Sequence, residues 1–266
     1  MSVARRNNVH VQGAGPAMVF AHGFGCDQNM WRLLSPRYAS RFTTITFDQV
    51  GSGQSDLSAY DPVKYASLDG YASDVIDILR EFAVGPAIFV GHSVGAMIGL
   101  LAGLKDPSLF AGHVMVGPSP CYIDEGDYHG GFSRADIDDL LKMLESNYLG
   151  WSSSMGPAIM GAPDQPELGI ELTNSFCRTD PEIAKQFARV TFLSDNRKDL
   201  ARVTTPSLII QSEEDIIAPL DVGEYLHDRL PNSLLRIVEN VGHCPHLSAP
   251  SASAAAMDEF LATLGH

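Results

Sequence analysis

Three side chains in this sequence could together carry out nucleophilic catalysis: Ser93, Asp215 and His243. A serine hydroxyl is a poor nucleophile at neutral pH, so it needs an adjacent base that accepts its proton. A histidine can be that base, and a carboxylate behind it holds the imidazole in the required tautomer. The order serine, acid, histidine along the chain is one in which such sets occur. We therefore expect Ser93 to be the nucleophile, His243 the base and Asp215 the residue that orients the base.

Ser93 lies in the motif Gly-His-Ser-Val-Gly at 91–95. The apolar run 87–90 before it predicts a buried strand, and 96–102 after it predicts a helix. In so tight a turn, a side chain at Gly91 or Gly95 would strike neighbouring backbone. The motif therefore predicts a nucleophile elbow, which holds the serine at the top of a sheet near the positive end of a helix. The alternative is an ordinary strand-to-helix turn that carries a serine by chance.

Two other acidic residues could orient the base in place of Asp215. Asp215 follows the apolar run 207–211, which predicts a late strand, and Pro219 could begin the next helix. Glu213 and Glu214 stand directly before it. We prefer Asp215, and the alternative is that all three are solvated acids on a loop.

The base also has competitors. His243 directly follows Gly242 in the loop after the last predicted strand, and His246 comes three residues later. His22 and His92 stand beside predicted turns near the serine. We prefer His243 as the base and expect His22 and His92 to be hydrogen-bonded scaffold residues. His246 is expected to be structural or to lie at a pocket rim.

An oxyanion formed at the serine needs two backbone donors. The N–H of Val94, directly after the nucleophile, is one candidate. The second should come from the loop after the predicted strand 17–21, where Phe24 N–H is the best candidate. The flanking glycines of Phe24 form a G-x-G that lacks the third glycine of a dinucleotide fingerprint, so no nucleotide cofactor is expected.

The predicted elements divide the chain into a core and an insertion. Strand and helix patterns alternate up to residue 117, which predicts a mostly parallel sheet with helices on both faces. From about 122 to 204 no buried strand is predicted, and four helical patterns occur at 133–148, 150–160, 166–177 and 180–192. We therefore predict an α/β core of residues 1–121 and 205–266, with a helical insertion at 122–204.

The composition excludes several classes of function. The 266 residues carry a net charge of −14, which argues against nucleic acid or an anionic membrane as the main partner. The four cysteines form no C-x-x-C pair, so neither a disulfide scaffold nor a metal site is expected. No apolar segment follows Arg5 and Arg6, and the apolar stretch 87–104 begins as a strand. We therefore expect no signal peptide, no membrane span and a cytoplasmic protein.

Beyond these patterns, the chain resembles the α/β-hydrolase family and, within it, the RsbQ-like branch. This branch includes a bacterial hydrolase that acts with a stress-signalling phosphatase, and the plant strigolactone and karrikin receptors. The resemblance runs nearly end to end and includes the insertion. The segments that carry it are 22–28, 65–71, 91–95, 116–122, 130–132 and 242–246.

The resemblance implies an α/β-hydrolase fold in which the insertion is a four-helix lid over a Ser93–His243–Asp215 triad. It implies slow hydrolysis or binding of a small apolar ester or lactone, no cofactor, and a sensor phosphatase as a possible partner in a stress response. The residues that it places around the pocket are Phe24, Phe132, Trp151, Met155 and Phe192.

Other functions are compatible with the same residues. They are a metabolic carboxylesterase, a C–C bond hydrolase, a cofactor-free perhydrolase, and a ligand-sensing binding module with slow turnover, since a fold and a site do not name a substrate. A dehalogenase is disfavoured because that chemistry needs a carboxylate nucleophile, and the elbow holds Ser93.

Overall fold

The structure, a computed structural model, describes residues 1–266. Seven strands form one sheet in the order β1-β3-β2-β4-β5-β6-β7. The edge strand β1 runs antiparallel to β3, and all other neighbours are parallel, as predicted. The strands are β1 (His10–Gln12), β2 (Ala17–Ala21), β3 (Thr43–Phe47), β4 (Ala87–His92), β5 (Phe110–Val116), β6 (Ser207–Glu214) and β7 (Ser233–Val241).

From β2 onward, helices separate successive strands; four helices lie between β5 and β6, and two follow β7. The helices are α1 (Val3–Arg6), α2 (Ser35–Tyr38), α3 (Leu68–Phe82), α4 (Val94–Lys105), α5 (Arg134–Ser146), α6 (Tyr148–Met160), α7 (Pro166–Arg178), α8 (Pro181–Phe192), α9 (Leu220–Arg229), α10 (Pro245–Ser248) and α11 (Pro250–Thr263). No helix combines the length and the apolar character that crossing a bilayer requires.

The central strands are buried on both faces. In β4, Ile88 and Val90 join one apolar cluster and Phe89, between them, joins the cluster on the opposite face. Successive side chains of a strand point to opposite faces, so each face must be covered by helices. The structure therefore confirms the predicted sheet with helices on both sides.

The four helices α5–α8, which we call the cap, pack against both apolar clusters of the core. Their buried residues Leu140, Trp151 and Phe176 belong to the same cluster as Ile88 and Val90 of β4. Phe187 of α8 belongs to the cluster on the opposite face and stacks on Tyr71 of α3. Ser133 and Asp180, the latter followed by Pro181, have the residue types of helix N-caps, and the structure confirms both. Ser133 forms a reciprocal capping box with Asp136, and Asp180 accepts from two backbone N–H groups of α8.

Two local details differ from what the sequence indicates. With Asp27 as a possible N-cap, the sequence predicts one helix through Trp31 and Leu34, and this prediction was wrong. The segment forms a short 3₁₀ turn, Gln28–Trp31, followed by the separate helix α2. Pro36 stands in the first turn of α2, where its missing N–H costs no helical hydrogen bond, so a new helix begins there. In addition, β6 continues to Glu214, so Asp215 follows the strand directly.

Candidate active site

The backbone at Ser93 has the geometry of a strained elbow. Ser93 joins β4 to α4 with φ 54° and ψ −126°, a conformation that a residue with a side chain rarely adopts. A Cβ at Gly91 would lie 2.6 Å from the Cα of Ala96, and one at Gly95 would lie 2.5 Å from the carbonyl oxygen of His22. Both positions therefore need glycine for the reason predicted from the sequence.

The structure brings the predicted serine, histidine and acid together. Ser93 Oγ lies 2.8 Å from His243 Nε2, and His243 Nδ1 lies 2.7 Å from Asp215 Oδ2. The other oxygen of Asp215 accepts hydrogen bonds from the N–H groups of Ile217 and Ala218. All three side chains belong to buried residues. With Nδ1–H donated to the carboxylate, Nε2 is left to accept the proton of the serine hydroxyl.

The competing acids and histidines have other positions. Glu213 and Glu214 are exposed at the end of β6. His22 donates from Nδ1 to the carbonyl of Gly23 and accepts the N–H of Gln49, as expected of a scaffold residue. His92 donates from Nε2 to the carbonyl oxygen of His243 and thereby supports that loop.

His246 lies behind the serine–histidine–acid set and is fully buried. Its ring packs 4.7 Å from Trp31 and 4.6 Å from His92, measured between ring centroids. Burial is the main cause that lowers its pKa to about 3, with a smaller contribution from His243. A neutral, unpartnered ring in this position acts as a packing element of the core.

The two candidate oxyanion donors stand at the edge of the site. Val94 is the first residue of α4, where backbone N–H groups have no partner within the helix. Phe24 N–H has no acceptor among the protein atoms. A Cβ at Gly23, next to Phe24, would lie 3.1 Å from Ser93 Cβ, so this loop lies against the serine.

A narrow, mostly apolar cavity opens onto Ser93 and His243, with a volume of about 30 Å³. Four of the predicted pocket residues line it: Phe24, Trp151, Met155 and Phe192. Phe132 does not line the cavity; it is half-buried and packs against the apolar cluster that surrounds it. Further lining residues are Cys26, His92, Tyr122, Leu140, Ile159, Leu172, Phe176, Thr191, Ile217 and Cys244.

Phe24 joins the cap to the core. Its ring centroid lies 5.8 to 6.1 Å from those of Trp151, Phe176, Phe187 and Phe192, which come from three cap helices. Such tilted or edge-on pairs stabilise by about 0.5–1.5 kcal/mol each beyond their buried area. The loop that carries a candidate oxyanion donor is therefore positioned by the cap as well as by the sheet.

Tyr122 is a site residue that the sequence analysis missed. Its hydroxyl lies 3.4 Å from Ser93 Oγ, and the side chain is buried. Burial, reinforced by the charge of Asp215, raises the pKa of Tyr122 to about 12 although the contact with Ser93 acts in the opposite direction. The phenol therefore stays protonated and can donate to the serine oxygen. Only its place in the 116–122 motif pointed to it.

Three buried side chains have ligand atoms within 4.8 Å of one another: His92, Cys244 and His246. His92 Nε2, however, already donates to a carbonyl, and its ring packs against that of His246. Burial also raises the pKa of the Cys244 thiol, whereas metals bind the thiolate. We assign these residues to packing. Sequence spacing did not reveal the group because residue 92 is about 150 positions from the other two.

Comparison with known proteins agrees with the geometry. A family model described as the alpha/beta hydrolase family matches residues 18–256. The chain belongs to the α/β-hydrolase family.

Relatives of this hydrolase include plant receptors and esterases. It is 40% identical to the Karrikin insensitive 2 receptor CA of Petunia hybrida, and the match covers 93% of each chain. It is 34% identical to the Strigolactone esterase D14 of Arabidopsis thaliana, again over 93% of each chain. A solved structure of a hydrolase from Oleispira antarctica superposes with a TM-score of 0.94 at 42% identity, covering 97% of this chain and 96% of that one.

Proposed function

We propose that this α/β-hydrolase is a serine hydrolase of small apolar carboxylic esters or lactones. Ser93 is the nucleophile, His243 the general base and Asp215 the residue that orients the base. The observation that carries the proposal is the unbroken hydrogen-bond chain Asp215–His243–Ser93, which ends in an apolar cavity. The relative named Strigolactone esterase D14 supports an ester or lactone as substrate.

The reaction follows from the order of these bonds. Ser93 Oγ attacks the ester carbonyl while its proton passes to His243 Nε2, and the Asp215 carboxylate stabilises the imidazolium. The N–H groups of Val94 and Phe24 bind the oxyanion of the tetrahedral intermediate. The imidazolium then protonates the departing alkoxide and leaves an acyl group on Ser93. A water molecule then gives a proton to His243 and attacks the acyl carbonyl. The carboxylic acid departs, and the proton returns from His243 to Ser93 Oγ.

The cavity limits the substrate. No lysine or arginine lines it, so it offers no partner for a substrate carboxylate. Its volume of about 30 Å³ is far below the space that drug-sized ligands occupy, roughly 300–1,000 Å³. We propose that residues 122–204 form a lid whose side chains separate to admit a ligand. Small apolar acyl groups fit this site best.

A substrate assay combined with active-site labelling tests the proposal. We expect hydrolysis of p-nitrophenyl butyrate and covalent labelling by a fluorophosphonate, both lost in Ser93→Ala. Ser253→Ala is the matched control, because Ser253 is a buried serine of α11 whose hydroxyl has no partner. Equal hydrolysis by wild type and Ser93→Ala would falsify the role of Ser93. Adding a β-diketone and a peracid assay to the panel separates C–C hydrolysis and perhydrolysis from ester hydrolysis.

We further propose an RsbQ-like role, in which the hydrolase regulates a stress-signalling phosphatase. The relatives named as karrikin receptors support a signalling role for a hydrolase of this kind. Binding to a sensor phosphatase, measured by co-purification and by phosphatase activity, tests the idea. A regulator that acts through hydrolysis loses its effect on the phosphatase in Ser93→Ala. A binding module keeps it, and a metabolic esterase shows no complex at all.

A further inference from the structure

One hydroxyl at the cavity has no hydrogen-bond partner. Thr191 lies in the last turn of α8 and lines the cavity beside Phe192, whose ring centroid lies 5.1 Å from that of Tyr122. Thr191 is 1% exposed, and its Oγ1 atom is buried without an acceptor or donor. Burying a hydroxyl without a partner is unfavourable, so this position costs stability that a bound ligand could recover.

The other hydroxyls of the cap helices do not share this property. Ser152, Ser153 and Thr173 each donate to the carbonyl oxygen four residues earlier in their own helix, at 2.7, 2.9 and 2.9 Å. That bond is the usual one for serine and threonine inside a helix. Thr191 could make the same bond to the carbonyl of Phe187 and does not. Its hydroxyl therefore remains available at the cavity.

The remaining polar groups around the cavity narrow what Thr191 can bind. Ser93 and His243 are hydrogen-bonded to each other, and the hydroxyl of Tyr122 contacts Ser93 Oγ. The indole N–H of Trp151 is also buried without an acceptor. An indole N–H can only donate, and a hydroxyl can donate as well. A ligand with acceptor oxygens can therefore satisfy both groups in an otherwise apolar space.

We propose that Thr191 is a specificity-determining residue whose hydroxyl donates to an oxygen of the substrate outside the scissile ester group. The protein accordingly prefers esters or lactones that carry a further carbonyl, ether or ring oxygen over hydrocarbon analogues of the same size. This inference rests on the proposed serine hydrolase function and names the class of substrate within it.

The test compares pairs of p-nitrophenyl esters that differ in one oxygen. Methoxyacetate is paired with butanoate, 3-methoxypropanoate with pentanoate, and 4-oxopentanoate with 4-methylpentanoate. For each pair, the ratio of the two kcat/KM values is measured in wild type, Thr191→Val and Thr191→Ser. Comparing the same ratio between wild type and variant cancels the difference in intrinsic reactivity of the two esters. We expect at least one ratio to fall about fivefold in Thr191→Val, the effect of one lost neutral hydrogen bond, and to be retained in Thr191→Ser.

Thr173→Val is the matched control, because Thr173 lies in α7 with its hydroxyl bonded to Gly169 and does not line the cavity. It should leave all ratios unchanged. The proposal is overturned if no ratio changes by more than about twofold in Thr191→Val, less than one such bond supplies, or if Thr191→Ser loses the preference as well. Thr191→Ala gives the same comparison with a smaller side chain if the valine does not fold. Failure of the serine hydrolase function itself is distinguishable, since Ser93→Ala would then remain active on both members of every pair.

Discussion

The Ser93 cavity and a polar groove beside β1 differ in volume and in lining. The groove has a volume of about 660 Å³ against about 30 Å³ for the cavity, and no hydrophobic residue lines it. Its lining residues include Asn8, His10, Asp27 and Asp48, near the antiparallel edge of the sheet. The cavity is lined mainly by apolar side chains of the cap and the core.

The polar groups of the two regions are used differently. In the groove, Asp48 accepts from the side chain of Asn8 and from two backbone N–H groups, and His10 bonds to Asn8, so these groups hold one another in place. In the cavity, a serine on a strained backbone is bonded to a buried histidine. Charge interactions are stronger where water is excluded. Reactivity therefore follows burial and a prepared chain of hydrogen bonds, and the size of an opening is a poor guide to it.

The largest change in rate that distinguishes the two regions is expected from Asp215→Asn. The amide would donate to His243 Nδ1 and leave Nε2 protonated, so that it cannot accept the serine proton. We expect kcat for p-nitrophenyl butyrate to fall by about 10⁴-fold. The matched change in the groove, Asp27→Asn, should leave the rate nearly unchanged because Asp27 contacts no residue of the serine–histidine–acid set. A similar loss in both variants would contradict the contrast between the two regions.

The buried histidine behind the cavity makes folding pH-dependent. The pKa of His246 is about 3 in the folded protein and about 6.5 in an unfolded chain. Between these values the unfolded chain binds more protons, so the free energy of unfolding falls as the pH falls, by about 1.4 kcal/mol per pH unit for one such group. His246→Phe removes this contribution, so we expect its stability to fall less steeply below pH 6.

Urea denaturation from pH 8 to pH 4 measures this difference. Above about pH 7, His246 is neutral in both the folded and the unfolded protein. The curves of unfolding free energy against pH for wild type and His246→Phe should therefore run parallel there. Part of the slope should remain below pH 6, because burial also lowers the pKa of His113 to about 4. Curves that stay parallel over the whole range would show that His246 does not titrate differently on unfolding.

A smaller effect is expected from Tyr122→Phe. Removing the phenolic hydroxyl takes away one neutral hydrogen bond to Ser93 Oγ. We therefore expect kcat/KM to fall by about three- to tenfold. The shape of the pH–rate profile should not change below pH 10, because the pKa of Tyr122 is about 12. A profile that shifts in the variant, or a rate that rises, would argue against a donor role for this hydroxyl.

The smallest effect is expected in the groove. Arg178 of α7 pairs with Asp27 at 2.8 Å and so links the cap to the core, but its side chain is 59% exposed. Pairs of this kind stabilise by at most about 1 kcal/mol. Arg178→Gln should therefore lower the unfolding free energy by no more than this, and the difference should shrink in high salt. A larger loss, independent of salt, would mean that the groove holds the cap in place.

Much of the site could be predicted because its local requirements are visible in the sequence. The glycines at 91 and 95, the strand before Ser93 and the helix after it all belong to one short segment. The late strand before Asp215 and the loop at His243 could be recognised in the same way, and the structure places all three side chains in one hydrogen-bonded chain. The cap helices followed from apolar spacing and N-cap residues.

Other features depend on which segments meet, and the sequence misplaced or missed them. Phe132 was expected in the pocket, yet it packs against the surrounding apolar cluster without lining the cavity. Tyr122 and Thr191 line the cavity, although only the 116–122 motif pointed to Tyr122 and nothing in its own segment marks Thr191. The packed group of His92 and His246 joins positions about 150 residues apart.

The order of strands and helices and the tight turn at Ser93 could be read from local sequence alone. Each of these depends on backbone sterics and on the period of apolar residues, which act over a few neighbours. The hydrogen bond of Tyr122, the unpartnered hydroxyl of Thr191 and the small volume of the cavity arise from three-dimensional packing. These depend on the distances between side chains of the sheet and the cap, which arise when the packed elements exclude water from the space between them.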